Sequence, residues 1–395
     1  MESQQHLAQL PYVLDTFFLL ISGAFVMWMA AGFSMLEAGL VRAKNTTEIL
    51  TKNITLYALA CLSYLFIGYA IMYPDAAPTA HAADAGFFFQ MVFVATAMSI
   101  VSGVVVERMK LNSFLLFCVA LSAFIYPIQG AWSWGGGFLA ELGFVDFAGS
   151  SIVHLTGASA AFAAVLLLGP RLGKYSKSGA VMAIPGANMP LATLGTLVLW
   201  FGWFGFNGGS QLALSSTADA NAIASAFVNT NISAAGGTVA AYLFTKVFFK
   251  KADLTMILNG ALAGLVAITA QPVTPPSWLA AIVGFTAGIL VVLSIIFLDK
   301  LHVDDPVGAI SVHGVVGIFG TLVVPISDSG ATLLNQLIGA SVILAWGFLT
   351  SFVLWGLLKF TIGIRVTKEQ EYAGLDKVDC GVEAYPEFIR SPEGQ

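Results

Sequence analysis

Charge is the scarcest commodity in this chain. Only 10% of its 395 residues are Asp, Glu, Lys or Arg, while 57% are hydrophobic; a soluble domain carries about 25% charged residues. A soluble chain of this length would divide into domains joined by polar linkers, and none are found. The net charge of −5 comes without a basic cluster, which argues against a nucleic-acid partner. Cysteine is equally sparse. Cys61 and Cys118 lie in apolar runs and Cys380 near the polar end, with neither metal spacing nor a disulfide framework.

What is present is long apolar runs. They lie near 12–38, 48–73, 86–106, 111–132, 147–169, 189–213, 222–248, 253–270, 277–298, 306–327 and 332–362. Most reach about 20 residues, enough to cross a hydrocarbon core of roughly 30 Å as helices. The expected fold is therefore an all-α membrane protein with eleven transmembrane helices. Residues 1–362 form the membrane domain and 363–395 a polar tail. The first run has no Lys or Arg before it and is too long for a signal peptide.

Basic residues are absent from every second connection. Stretches such as 74–85, 215–221 and 271–277 hold no Lys or Arg, whereas the alternate set contains Arg42, Lys44, Arg108, Lys110, Arg171, Lys174, Lys177, Lys250, Lys251 and Lys300. With the tail's Arg365, Lys368, Lys377 and Arg390, and three more near helix ends, all 17 basic residues fall on one side. That side is expected to be cytoplasmic, which puts the N-terminus outside and the C-terminus inside.

Two stretches repeat a pattern. Asp146, Gly149 and His154 share their spacing with Asp305, Gly308 and His313. They open the fifth and tenth spans, and an offset of five crossings makes the copies an inverted repeat. On a regular helix each His lies about 12 Å beyond its Asp, so both arrive near the midplane. Each Asp has a plain role available as an N-cap. A single membrane His could merely satisfy a neighbouring carbonyl, but two at matched depths with small residues around them argue for a facing, pore-lining pair. No further ligand type lies on the same turns, so no metal is expected. Ser151 and Ser311 are close in sequence to the histidines but no carboxylate is placed to orient a Ser–His pair, so no enzyme activity is expected.

These residues carry a family resemblance over nearly the whole chain. Asp146-Phe147-Ala148-Gly149 with His154 resembles the signature of Amt/Mep/Rh ammonium transporters, Amt branch. Val303-Asp304-Asp305-Pro306, His313-Gly314-Val315-Val316-Gly317, Trp203-Phe204-Gly205-Phe206-Asn207, Val41-Arg42-Ala43-Lys44-Asn45 and Trp134-Gly135-Gly136-Gly137 are similar to the family's other motifs.

The resemblance implies two inverted five-helix repeats plus a final helix, assembled as a homotrimer in the plasma (inner) membrane with a pore in each subunit. It implies transport of ammonium or ammonia, with methylammonium as an alternative substrate and no cofactor. Trp134, Ser210, Asp146 and Phe93 correspond to an outer recruitment site. Phe93 and Phe206 correspond to a gate, Trp203 to pore lining, and His154 with His313 to the substrate pore. Without the resemblance, Phe93 and Phe206 would pass for ordinary core rings in a chain with 30 Phe. The tail around Gly374, Asp376 and Tyr385 is similar to a regulatory segment near which a PII-type signalling protein docks.

Some positions depart from the family pattern. Gly308 stands where many relatives are acidic, and Glu37 where others carry an aromatic or small residue; pairing with Arg42 or capping the inner helix end is the simplest expectation for Glu37. Cys380 is unusual in such a tail. The competing readings are a neutral ammonia channel of Rh type, against which Trp134 with Ser210 argues, and a sensor on the same fold, for which the sequence carries no signalling domain after the tail.

Overall fold

In the computed structural model, residues 2–74 and 80–386 are described, with side chains from residue 9 onward. Among them every regular element is helical. Nine helices are long and apolar enough to cross a membrane: α1 (Gln9–Leu40), α2 (Ala43–Met72), α3 (Ala83–Val105), α4 (Leu111–Glu141), α5 (Ser150–Leu168), α6 (Met189–Gly209), α7 (Thr217–Phe249), α9 (Ser277–Lys300) and α11 (Leu333–Thr361). Two shorter apolar helices complete the order, α8 (Leu254–Thr269) and α10 (Ile310–Ile326). Four of the nine, α1, α2, α7 and α11, bury only about a third or less of their most apolar window and carry exposed Leu, Phe and Val. A bilayer supplies the solvent such faces require. α3 and α5 are 83% buried and form the centre.

Close packing of this kind depends on small residues where helix backbones meet. α1 lies along α6, where a Cβ at Gly195 would fall within 2.2 Å of the Leu36 backbone nitrogen. That spacing lets the two backbones touch.

The α1–α2, α3–α4, α5–α6 and α9–α10 connections and the start of the tail gather at one end of the bundle. Asp304 accepts from Arg171 at 2.9 Å through both carboxylate oxygens, and its carbonyl accepts from Arg108. Glu107 bonds Arg42 and lies 3.5 Å from Arg171. Burial would raise the Asp304 carboxyl, but Arg108 and Arg171 outweigh it and hold it at about 2. Burial likewise opposes the ionised Glu107, and Arg171 with Arg42 keeps it below the usual carboxylate range. These buried pairs stitch together connections that are distant in sequence, and removing one partner would leave a buried charge unmatched.

Candidate functional site

The Asp-Gly-His repeat builds the same device twice. Asp146 accepts backbone N–H bonds from Gly149, Ser150, Ser151 and Ile152 at 2.8–3.1 Å. Asp305 accepts from Gly308, Ala309 and Ile310 at 2.7–3.1 Å. Each carboxylate therefore caps the free N–H groups at its helix start. The glycine three residues on is the bend between them: Gly149 has φ 108° and Gly308 φ 83°, left-handed backbone that suits glycine best. An acidic side chain in place of Gly308 would meet that strain and, at its Cβ, Asn259 Nδ2 at 2.7 Å.

The segments that follow are π-helical rather than α-helical, Ser150–Leu155 and Ile310–Val315. The His154 N–H reaches the Gly149 carbonyl, five residues back. A rise measured along a regular α-helix therefore does not apply to the histidines, because the wider turn adds a residue and re-aims the side chains. Both still meet. His154 Nδ1 and His313 Nδ1 are 3.2 Å apart, with ring centroids at 5.1 Å and planes 21° apart. Both rings are buried. A single proton between two Nδ1 atoms fixes opposite tautomers, so the two Nε2 atoms differ, one a donor and one an acceptor. His154 Nε2 has no protein partner.

A column of rings continues from the pair. His154 stacks on Trp203 at 5.0 Å and on Phe206 at 5.4 Å. Phe206 stacks on Phe93 at 4.1 Å, and Phe93 meets Trp134 edge-on at 5.9 Å. Trp203 and Phe206 come from α6, Phe93 from α3 and Trp134 from α4. Phe93 and Phe206 are fully buried, whereas Trp134 is half-buried, so the column opens at the tryptophan. Trp134 Nε1 donates to the Asp146 carbonyl at 2.9 Å, which ties the last ring of the column to the first cap. The Asp146 carboxylate is taken up by these backbone N–H groups. Ser210 Oγ donates to the Phe206 carbonyl at 2.8 Å, leaving its lone pairs as acceptors near the same end.

With this geometry in hand, comparison with known proteins is informative. Residues 17–385 match the Ammonium Transporter Family. The chain belongs to it. It is 41% identical over 419 residues to Ammonium transporter Amt2 of Archaeoglobus fulgidus, covering 95% of this chain and 89% of that protein. It is 34% identical to Ammonium transporter Amt1 of Haloferax mediterranei, covering 94% and 79%. Among solved structures it matches one described as Sensor Amt Protein with a TM-score of 0.89 at 35% identity, covering 94% of this chain and 99% of that one. It also matches Candida albicans Mep2 with a TM-score of 0.82, covering 91% and 88%; at 23% identity that likeness speaks for the fold alone. The family is one of membrane-embedded transporters, not enzymes.

Within this family member, the side of the histidine pair away from Trp134 corrects one expectation. Glu37 pairs with neither Arg42 nor a helix end. Arg42 is taken by Glu107, and Glu37 instead turns inward, fully buried, to bond Ser102 and Asn53. It lines a small cavity, with room for about one water molecule, together with His313, Phe33, Asn259, Ser99 and Val307. Thr269, whose hydroxyl accepts from the Trp203 indole at 2.8 Å, belongs to the column as well. A threonine late in an apolar helix gives no pattern to mark it.

The tail residues are seated on the same chain. Leu375 N–H donates to Asn45 Oδ1, and Asp376 Oδ1 accepts the Glu48 N–H in the first turn of α2. Gly374 has φ 101° and lies against Lys44, whose ammonium bonds the Glu371 and Tyr372 carbonyls. Glu371 in turn bonds Arg365 at 2.8 Å. Tyr385 is half-buried, and Cys380 lies 3.6 Å from the Thr51 hydroxyl. Arg390 and the rest of 387–395 lie outside the described residues.

Proposed function

We propose that the chain carries ammonium across a plasma (inner) membrane, recruiting the cation at an outer aromatic site, deprotonating it and passing ammonia along the histidine pair. The observation that carries this reading is the His154–His313 contact of 3.2 Å lying beneath the Phe206–Phe93–Trp134 column.

A half-buried indole face attracts a small cation, and the acceptor lone pairs of Ser210 replace part of its water. Asp146, buried behind Trp134, biases the local field toward positive charge. Below this the path is apolar and closed by the Phe93 and Phe206 rings. A bare cation at mid-membrane costs at least about 2.5–3.5 kcal/mol, whereas neutral ammonia costs little. Ammonium can shed a proton and potassium cannot, so such a lumen discriminates by chemistry rather than by radius, unlike a carbonyl filter. The paired imidazoles supply one donor and one acceptor to the passing molecule and take up the proton.

By family resemblance the working unit is a homotrimer. Residues 1–362 are then the transport domain and 363–395 a cytoplasmic regulatory tail near the docking place of a PII-type protein; the seating of Gly374 and Asp376 on Lys44 and α2 supports a tail that senses the state of the bundle. Solid-supported-membrane currents on purified protein, with ammonium, methylammonium and potassium pulses, test the reading. It expects saturable ammonium and methylammonium currents and none with potassium.

A second reading is a sensor on the same fold, favoured by the likeness to the structure described as Sensor Amt Protein. It expects ammonium binding without flux, so the same recordings separate the two.

A further inference from the structure

Three helices converge below His313 on a carboxyl group whose hydrogen-bond partners are neutral side chains. Glu37 of α1 faces Ser102 of α3 and Asn53 of α2. The Ser102 hydroxyl is 2.5 Å from Glu37 Oε1, Asn53 Nδ2 donates to Glu37 Oε2 at 2.9 Å, and Ser102 Oγ is 3.0 Å from Asn53 Oδ1. Three other buried carboxylates, Glu107, Asp304 and Glu371, are matched with arginines. Among the described residues Glu37 forms no ion pair, and its hydrogen-bond partners are neutral. The other ionisable groups whose fields reach it are Lys52 and Glu48, which lie 3.8 Å from each other on α2.

The donor count shows what such a ring does. A hydroxyl has one hydrogen, yet Ser102 Oγ faces three acceptors: Glu37 Oε1, Asn53 Oδ1 and the Ser99 carbonyl at 2.9 Å. When Glu37 is ionised, Ser102 and Asn53 both donate to it, and Asn53 Oδ1 goes without. When Glu37 is protonated, its own O–H donates to Ser102 Oγ. The serine hydrogen is then free for Asn53 Oδ1, and Asn53 Nδ2 still donates to Glu37. All three side chains close into a ring of hydrogen bonds. The ring therefore holds Glu37 in either protonation state with only a rotation of the serine hydroxyl, and Glu37 itself lines the small cavity that His313 also lines.

We propose that Glu37 is the proton acceptor on the inner side of the histidine pair. This rests on the deprotonating pore described above. Ammonium gives one proton to the imidazole pair and moves on as ammonia. His313 restores the neutral pair by giving an N–H proton to a water in the small cavity, which passes one of its own protons to the Glu37 carboxylate, so that one N–H bond breaks as one O–H bond forms on Glu37 and the water is regenerated. The acid then releases the proton at the basic end, where ammonia regains one. One ammonium ion has crossed, with nothing oxidised or reduced.

The test is Glu37→Gln, which keeps shape and hydrogen bonding but takes no proton. In proteoliposomes the ammonium-evoked current should fall by about tenfold or more, the scale of losing a positioned acid–base group. Stopped-flow alkalinisation by neutral ammonia should persist. Ammonium-induced infrared difference spectra of the wild type should contain a carboxylic-acid band that E37Q lacks. Should E37Q fail to assemble, Glu37→Asp is the substitute: it should keep part of the current and shift that band, and an unshifted band would overturn the proposal. Full current in E37Q with an unchanged band would remove Glu37 from the relay while leaving the histidine reading intact. A wild type that passes ammonia but carries no ammonium current would overturn the deprotonating pore itself and this proposal with it.

Discussion

Replacing His154 by alanine removes one half of the Nδ1–Nδ1 contact and the ring that stacks on Trp203 and Phe206. His313 Nδ1 is then left buried without its partner. An unsatisfied buried polar group costs about 1–3 kcal/mol. At about 1.36 kcal/mol per tenfold, that cost borne at the conduction barrier corresponds to an ammonium current roughly 5 to 160 times slower. His313→Ala should fall in the same range, because the two rings share one proton and each leaves the other equally stranded. His154→Asp should act differently. It puts a carboxylate where the lumen has none, lowers the cost of a bare cation at that depth, and should admit potassium. Solid-supported-membrane recordings with alternating ammonium and potassium pulses measure both effects, with size-exclusion profiles confirming assembly. If both alanine variants keep wild-type current and selectivity, the histidines are structural and the relay reasoning is wrong.

At the outer site, Trp134→Leu with Ser210→Ala should raise the half-saturation concentration more than it changes expression, since a cation–π contact contributes on the order of 1 kcal/mol; an unchanged half-saturation would count against the assignment. Deleting residues 372–395 removes the bonds from Leu375 and Asp376 to Asn45 and Glu48, and should lower transport while native mass spectrometry still finds the trimer; full activity would show the tail to be dispensable. Gly308→Ala forces an L side chain to φ 83° against Asn259, and should cost about 1–2 kcal/mol of stability, read as a lower midpoint in detergent thermal unfolding. The basic-end cluster sets an acid limit. Asp304 has a folded value near 2 against an ordinary 3.8, so its contribution is complete above about pH 4 and fades only as pH falls toward 2. Thermal midpoints should therefore lose the Asp304 contribution only below pH 4, and an Asp304→Asn variant should lack that loss.

The sequence by itself determined the solvent, the helical class and the two histidines. Scarce charge and long apolar runs admit few alternatives in a bilayer, because only closed hydrogen-bonded elements cross it. The Asp-Gly-His spacing marked the repeat, since a capping carboxylate and a left-handed glycine leave a local signature. What local signals do not encode is where long side chains end up. The π turns that re-aim His154 and His313, the threonine holding Trp203, and the choice of Arg42 for Glu107 rather than Glu37 were decided by tertiary packing. Arg42 and Glu37 are only five residues apart, and their nearness in sequence suggested a pair. In the folded bundle Arg42 sits at the polar end and Glu37 points into the closed interior, where it bonds Ser102 and Asn53 from two other helices.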